Sequence, residues 1–162
     1  MAAPCTLTIC RTATGYLFRI AGRGTMHESP TVRDFVCGAI EDGVDVALDL
    51  SACDYLDSTF QGCLVMLHRR GRSGSGSFAI FADEPTRKKL LGCARLDRYL
   101  AFVEECPPFT EAPVSLQVSA LERKEFAQHA LETHRQLAEL GGPTAETFAR
   151  IAEQIAKELG AP

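Results

Sequence analysis

Val44–Gly62, VDVALDLSACDYLDSTFQG, is the stretch whose reading decides the fold. Val46, Leu48 and Leu50 alternate with Ala47 and Asp49, and most of both sets is apolar, as a strand buried on both faces of a sheet requires. Ser51–Asp57 reads as a polar loop interrupted by Tyr55 and Leu56. Asp57-Ser58-Thr59 then stands directly before the apolar run Cys63–Leu67. Side-chain oxygens at such a junction accept the free N–H groups of a first helical turn, so a helix starts here. A core strand thus delivers two hydroxyls to the mouth of a helix, at the surface. That end carries unpaired donors and partial positive charge and tolerates a phosphate. Phosphorylation of Ser58 would add roughly 1.5–2 negative charges beside Asp57 without unfolding anything. On spacing alone, plain N-capping explains the same residues and is the commoner use.

Upstream, Thr6–Cys10 reads as an edge strand, Thr12–Gly15 as a turn, and Tyr16–Ala21 as a second strand in a hairpin with the first. Gly22–His27 reads as a loop. Ser29-Pro30 opens a helix, with Ser as cap and Pro in the first turn. Val32, Phe35, Val36, Ala39 and Ile40 form its buried face. Strand, helix and strand in that order imply a parallel crossover. Downstream, the second helix runs from about Ser58 to Arg70, with His68 at its boundary and Arg69, Arg70 and Arg72 as a solvated cationic end. Gly71–Ser77 is a turn; it follows a helix and precedes a strand, the reverse of a phosphate-cradling loop. Phe78–Ala82 is a short strand, Asp83-Glu84-Pro85 starts a third helix, and Phe102-Val103 is a last short strand.

Three prolines mark residues 107–115 as a linker. Beyond it the chain reads as two helices. Ser119–Glu122 fits a capping box, and Leu121, Ala127, Ala130, Leu131, His134, Leu137 and Ala138 form one stripe. Gly141-Gly142-Pro143 breaks the helix. Thr144 caps a second helix with the stripe Phe148, Ile151, Ala152, Ile155 and Leu159. Such a hairpin must dock its stripes on the domain or on another chain.

The chain has 162 residues, 46% of them hydrophobic, with a formal net charge of −4. This suits a real core and gives no reason to expect nucleic-acid binding. No apolar run approaches the about 18–20 residues needed to span a bilayer. The N-terminus lacks a charged region followed by an apolar one, so no secretory leader is expected and the expected location is the reducing cytoplasm. Seven cysteines show no C-x-x-C spacing, so no metal site is expected. Most serve as small core residues; Cys53 and Cys63 flank the Asp57–Thr59 site, where oxidation could perturb docking. With no legible base-and-orienter set for the hydroxyl and no cofactor motif, the chain is not expected to be an enzyme.

Asp49-Leu50-Ser51, a short loop and Asp57-Ser58-Thr59-Phe60-Gln61-Gly62 together resemble the STAS domain of bacterial anti-sigma-factor antagonists. The match continues in order through the helix to Arg70, the Gly/Ser turn, the strand Phe78–Phe81, and Leu90–Leu100, which resembles the family's LL…GL-D-x-x-F helix and its exit. The resemblance spans residues 5–106. It implies an α/β fold, a STAS-like mixed β-sheet packed by α-helices, followed here by a C-terminal helical hairpin. The expected organisation is a STAS domain over 1–106, a Pro-rich linker over 107–115 and the hairpin over 116–162.

The resemblance also implies a function: an anti-sigma-factor antagonist whose Ser58 is phosphorylated by a serine-kinase anti-sigma factor and reset by a protein phosphatase. Thr59 is the alternative acceptor, and Asp57, Ser58, Thr59, Phe60 and Gln61 are the expected partner-contacting residues. The family usually has Gly where this chain has Phe60 and an aliphatic residue where it has Gln61. The reading D-S-T-F looks like a sub-branch, and Phe60 either packs back against its own chain or anchors a partner. The tail resembles the helical extension of that sub-branch, most closely over Ala130–Leu137. The competing expectation is a STAS scaffold or assembly subunit of a signalling complex, forming a homodimer through the C-terminal helices. A small-molecule-binding STAS module partnered with a transporter is a further alternative.

Overall fold

Val46, Leu48 and Leu50 lie on one face of their strand and are 2%, 0% and 0% exposed. The computed structural model describes residues 4–160. The elements are β1 (Thr6–Arg11), β2 (Gly15–Gly24), α1 (Ser29–Glu41), β3 (Asp45–Leu56), α2 (Ser58–Ser73), β4 (Phe78–Phe81) and α3 (Glu84–Leu91). A 3-10 turn, Gly92–Ala94, leads to α4 (Leu96–Tyr99), then β5 (Val114–Ser115), α5 (Arg123–Glu139) and α6 (Ala145–Leu159).

The sheet has five strands in the order β4-β3-β2-β1-β5. β1 pairs antiparallel with β2, and β2–β3 and β3–β4 are parallel, as the crossover through α1 and the helix after β3 require. The core lies between this sheet and the helices: Phe18, Ile20, Leu48 and Leu50 meet Val32, Val36 and Ile40 of α1 and Leu64 and Leu67 of α2. Behind the sheet a thinner layer joins Cys10, Leu17 and Ala47 to Cys106. There Asp49, 1% exposed, accepts from Arg19 Nε at 2.8 Å and from the Ser51 N–H at 2.8 Å, the pairing that a buried carboxylate needs.

Several boundaries differ from the sequence expectation, each for a physical reason. β3 runs through residues 51–56, expected as a loop, and pairs with β2 as far as Gly24 across two register shifts. Only Cys53 and Leu56 of those six residues are buried, so the segment reads as polar although it is paired. Bulges of this kind are how a twisted strand continues past the core. β1 is not the edge: Val114–Ser115, within the expected linker, pairs with it, and the Leu116 N–H donates to Leu7 O at 2.9 Å. The outer polar groups of β1 need partners, and this segment provides them. Ser29 does not cap α1; Glu28 holds the N-cap position and Ser29 lies in the first turn. The capping box over Ser119–Glu122 does not form either. The Ser119 N–H is held by Thr31 Oγ1 at 2.9 Å, and the helix begins only at Arg123. Thr144 holds the N-cap of α6 without a side-chain cap bond.

Gly15 opposes Asp45 where β2 and β3 begin, and a Cβ there would lie 1.9 Å from the Asp45 carbonyl oxygen. Backbone on both sides leaves no flexible atom to yield. Gly15→Ala is therefore expected to destabilise the fold by about 2 kcal/mol or more, read as a lowered urea midpoint; an unchanged midpoint would show that the strands separate freely there.

Candidate functional site

Asp57 is the N-cap of α2, with extended backbone. Its Oδ1 accepts from the Phe60 N–H at 2.8 Å, and its Oδ2 accepts from the Met26 N–H at 2.7 Å. The Asp57 N–H donates in turn to Gly24 O at 3.1 Å. Both carboxylate oxygens are thus used, one on the helix and one on the loop entering α1. This fixes Ser58 in the first turn of α2.

The five expected contact residues separate. Ser58 is half-buried, and Asp57 and Gln61 are also at intermediate exposure. Thr59 is 6% exposed, turned inward by the first turn, so only one of the two hydroxyls expected at the surface is there. Phe60 is 0% exposed and belongs to the main core. Of the two uses open to Phe60, the structure shows the inward one, so Phe60 and Thr59 do not form a contact surface. Gln61 Nε2 donates to Leu90 O at 3.0 Å, holding α2 to the end of α3.

Sequence reasoning missed the largest feature, which is α5 lying across this site. Ser58 Oγ is 3.0 Å from His134 Nε2, and His134 Nδ1 is 2.7 Å from Ala130 O. A carbonyl only accepts, so Nδ1 carries the proton; in the neutral ring Nε2 then has the lone pair, and the Ser58 hydroxyl donates to it. Five residues earlier, His129 does the reverse. Arg33 Nη1, 2.8 Å away, donates to its Nδ1, so its Nε2–H donates to Ser29 Oγ at 2.7 Å. Burial, then the neighbouring Arg33 charge, lowers the His129 pKa to about 4, with Asp34 opposing and His134 assisting.

The backbones also meet: a Cβ on Gly62 would lie 2.2 Å from Thr133 O. Arg69, expected in a solvated cationic end, instead donates through Nη1 to Gln136 and to Glu139 at 2.6 Å. His68, expected at a boundary, is 7% exposed and edge-on to Tyr99 at 5.0 Å. The Cys63 thiol is fully buried, and burial pushes its pKa up; Cys53 shifts the same way for the same cause. Thiols so held are poor nucleophiles. Among the described residues no group of three or more His, Cys, Asp or Glu could hold a metal. No described helix is long and apolar enough to cross a membrane.

The sequence matches no protein-family model and no curated protein. The structure is similar to the crystal structure of an anti-sigma factor antagonist from Mycobacterium paratuberculosis, with a TM-score of 0.53 at 18% identity, covering 65% of this chain and 92% of that one. At that identity the likeness is one of fold, and the mixed sheet packed by helices is the STAS-like architecture expected from the sequence.

The free-chain value of a histidine is 6.5, above the folded value of His129. As pH falls from about 6.5 toward 4 the unfolded chain takes up a proton that the folded chain refuses, so stability present at pH 7 is lost. The expected loss between pH 7 and pH 5 is about 1–2 kcal/mol, read by urea unfolding, and His129→Gln should flatten that slope. An equal slope in the variant would assign the acid sensitivity to other groups.

Proposed function

We propose that this chain is a protein-binding module of the anti-sigma-factor-antagonist type, switched by phosphate on Ser58. The observation that carries this reading is the Ser58 hydroxyl itself. It is held at the first turn of α2 by the doubly bonded Asp57, at intermediate exposure, with a polar contact to His134. The similarity in fold to an anti-sigma factor antagonist supports it. In this reading the unmodified face of α2 docks a serine-kinase anti-sigma factor in the cytoplasm. The kinase places a phosphate on Ser58, the added charge ends the complex, and a protein phosphatase resets it. Ser58 is the acceptor rather than Thr59, which is buried.

Docking is proposed rather than catalysis. Ser58 and His134 stand as a hydroxyl and a base, with Ala130 O orienting the base. The orienter is a neutral main-chain carbonyl, which gives an imidazolium less support than a carboxylate would. A scaffold role has one observation in its favour. Ile151 on the apolar side of α6 remains 36% exposed, as a homodimer through the C-terminal helices would use. A concentration-independent monomer in sedimentation would end that second reading.

Ser58→Asp is expected to weaken capture of the kinase-type partner from the native lysate at least tenfold, and Ser58→Ala to retain it and resist phosphorylation. Quantitative pull-down with phosphosite mapping reads both. Equal capture by wild type and Ser58→Asp would sink the switch.

A further inference from the structure

The face on which a partner would dock is occupied by the chain itself. His134 accepts from Ser58 at the start of α2, and His129 reaches Ser29 in the first turn of α1. The Thr133 backbone fills the space over Gly62, and Arg69 holds the far end of α5 through Gln136 and Glu139. Leu137, 2% exposed, is the α5 side chain that enters the main core. Leu140, just past α5, and Phe148 of α6 pack partly buried against the same core. The remaining contacts at Ser29, Ser58 and Arg69 are hydrogen bonds, which water or a partner can replace.

The hairpin also keeps a small core of its own, in which Leu131, Ala152 and Ala156 pack with Ile155 and Leu159. The segment leading to it, residues 107–122, is mostly exposed and is tied to the sheet by the two-residue β5 and a few backbone bonds. A unit with its own core at the end of an extended connection can leave without the sheet unfolding.

We propose that α5 is a displaceable internal occupant of the docking face. α5 and a partner's helix compete for the surface made by α1's first turn and α2, and a phosphate on Ser58 excludes both. This rests on the reading of Ser58 as the switch. Sterics decide the second part. A Ser58 phosphate adds a phosphorus and three oxygens beside His134, on the stretch of α2 where Thr133 O already presses on Gly62 one turn later. The lost hydroxyl proton also removes the bond to Nε2, and the new charge sits beside the Asp57 carboxylate. Modification therefore traps the open state. α5 also describes the partner's chemistry: an amphipathic helix with small main-chain clearance at Gly62, a leucine for the site of Leu137, an acceptor for Ser58, and a donor for Ser29 five residues away.

Hydrogen exchange on the full-length chain, with no partner present, tests this. In the unmodified chain, α5 amides are expected to exchange at least tenfold faster than those of β2 and β3. His134→Ala, or phosphoserine installed at position 58 by codon suppression, should speed α5 about a further tenfold and leave the sheet unchanged. A labelled peptide of residues 119–140 should bind the His134→Ala chain and not the phosphoserine chain. Exchange of α5 in step with the sheet would overturn the proposal. So would slower α5 exchange with phosphoserine, or no peptide binding to a His134→Ala chain whose sheet is intact. Should that variant not fold, the wild-type and phosphoserine chains still decide. Because exchange needs no kinase, failure here is distinct from failure of Ser58→Asp to alter capture.

Discussion

The carboxylate of Asp57 is the constraint on which the site depends. One oxygen satisfies a donor in the first turn of α2, and the other satisfies the Met26 N–H in the loop entering α1. A capping side chain normally serves one helix. This one also fixes where the preceding helix begins, because the N–H of Thr25, beside Met26, donates to Glu28 at 2.9 Å, and Glu28 is the N-cap of α1. The first turns of α1 and α2 therefore stand in one fixed relation. Ser29 and Ser58 become two points on a rigid surface rather than two independent hydroxyls.

That fixed relation is what α5 recognises. His129 and His134 have to meet Ser29 and Ser58 together, and they do so in opposite tautomers, His129 donating and His134 accepting. The tautomers follow from the neighbours: an arginine can only donate to the first ring, and a carbonyl can only accept from the second. Both rings are almost fully buried, so each bond also satisfies a group whose isolation would be costly. The hydrogen bonds make the interface specific, and Leu137 anchors it in the main core.

How much of this the sequence disclosed depended on the range over which each signal acts. Alternation in Val46–Leu50 and the three- and four-residue stripe of α1 are local, and they located these core elements correctly. The D-S-T junction is local too, and it placed the helix start at Ser58. Residues 51–56 were misread because two-thirds of a bulged, half-exposed strand faces water and looks like a loop. β5 was misread because three prolines signal extension without saying whether the extended chain pairs. The contact of Ser58 with His134 spans 76 residues and that of Ser29 with His129 spans 100, and no spacing rule links such positions. One clue was present: Gly62, small on a helix otherwise rich in large side chains, marks where another backbone comes close. The stripe that includes His134 but not His129 showed that α5 docks, without showing where.

Tethering changes what affinity means for such a face. A helix joined to its own site by a short extended segment acts at an effective concentration of order millimolar. A free partner must exceed that advantage, and its apparent affinity falls by the fraction of time the face is open. The same arithmetic makes the surface insensitive to weak, unspecific helices, since these do not compete with a resident that already satisfies both serines. A covalent change at one hydroxyl acts differently. In the proposed switch it would not have to outcompete α5 at all, because it would take the space that α5 and a partner would both need. The rigid frame around Asp57 is then essential rather than incidental: if the first turn of α2 could yield, a phosphate could be accommodated and the exclusion would fail.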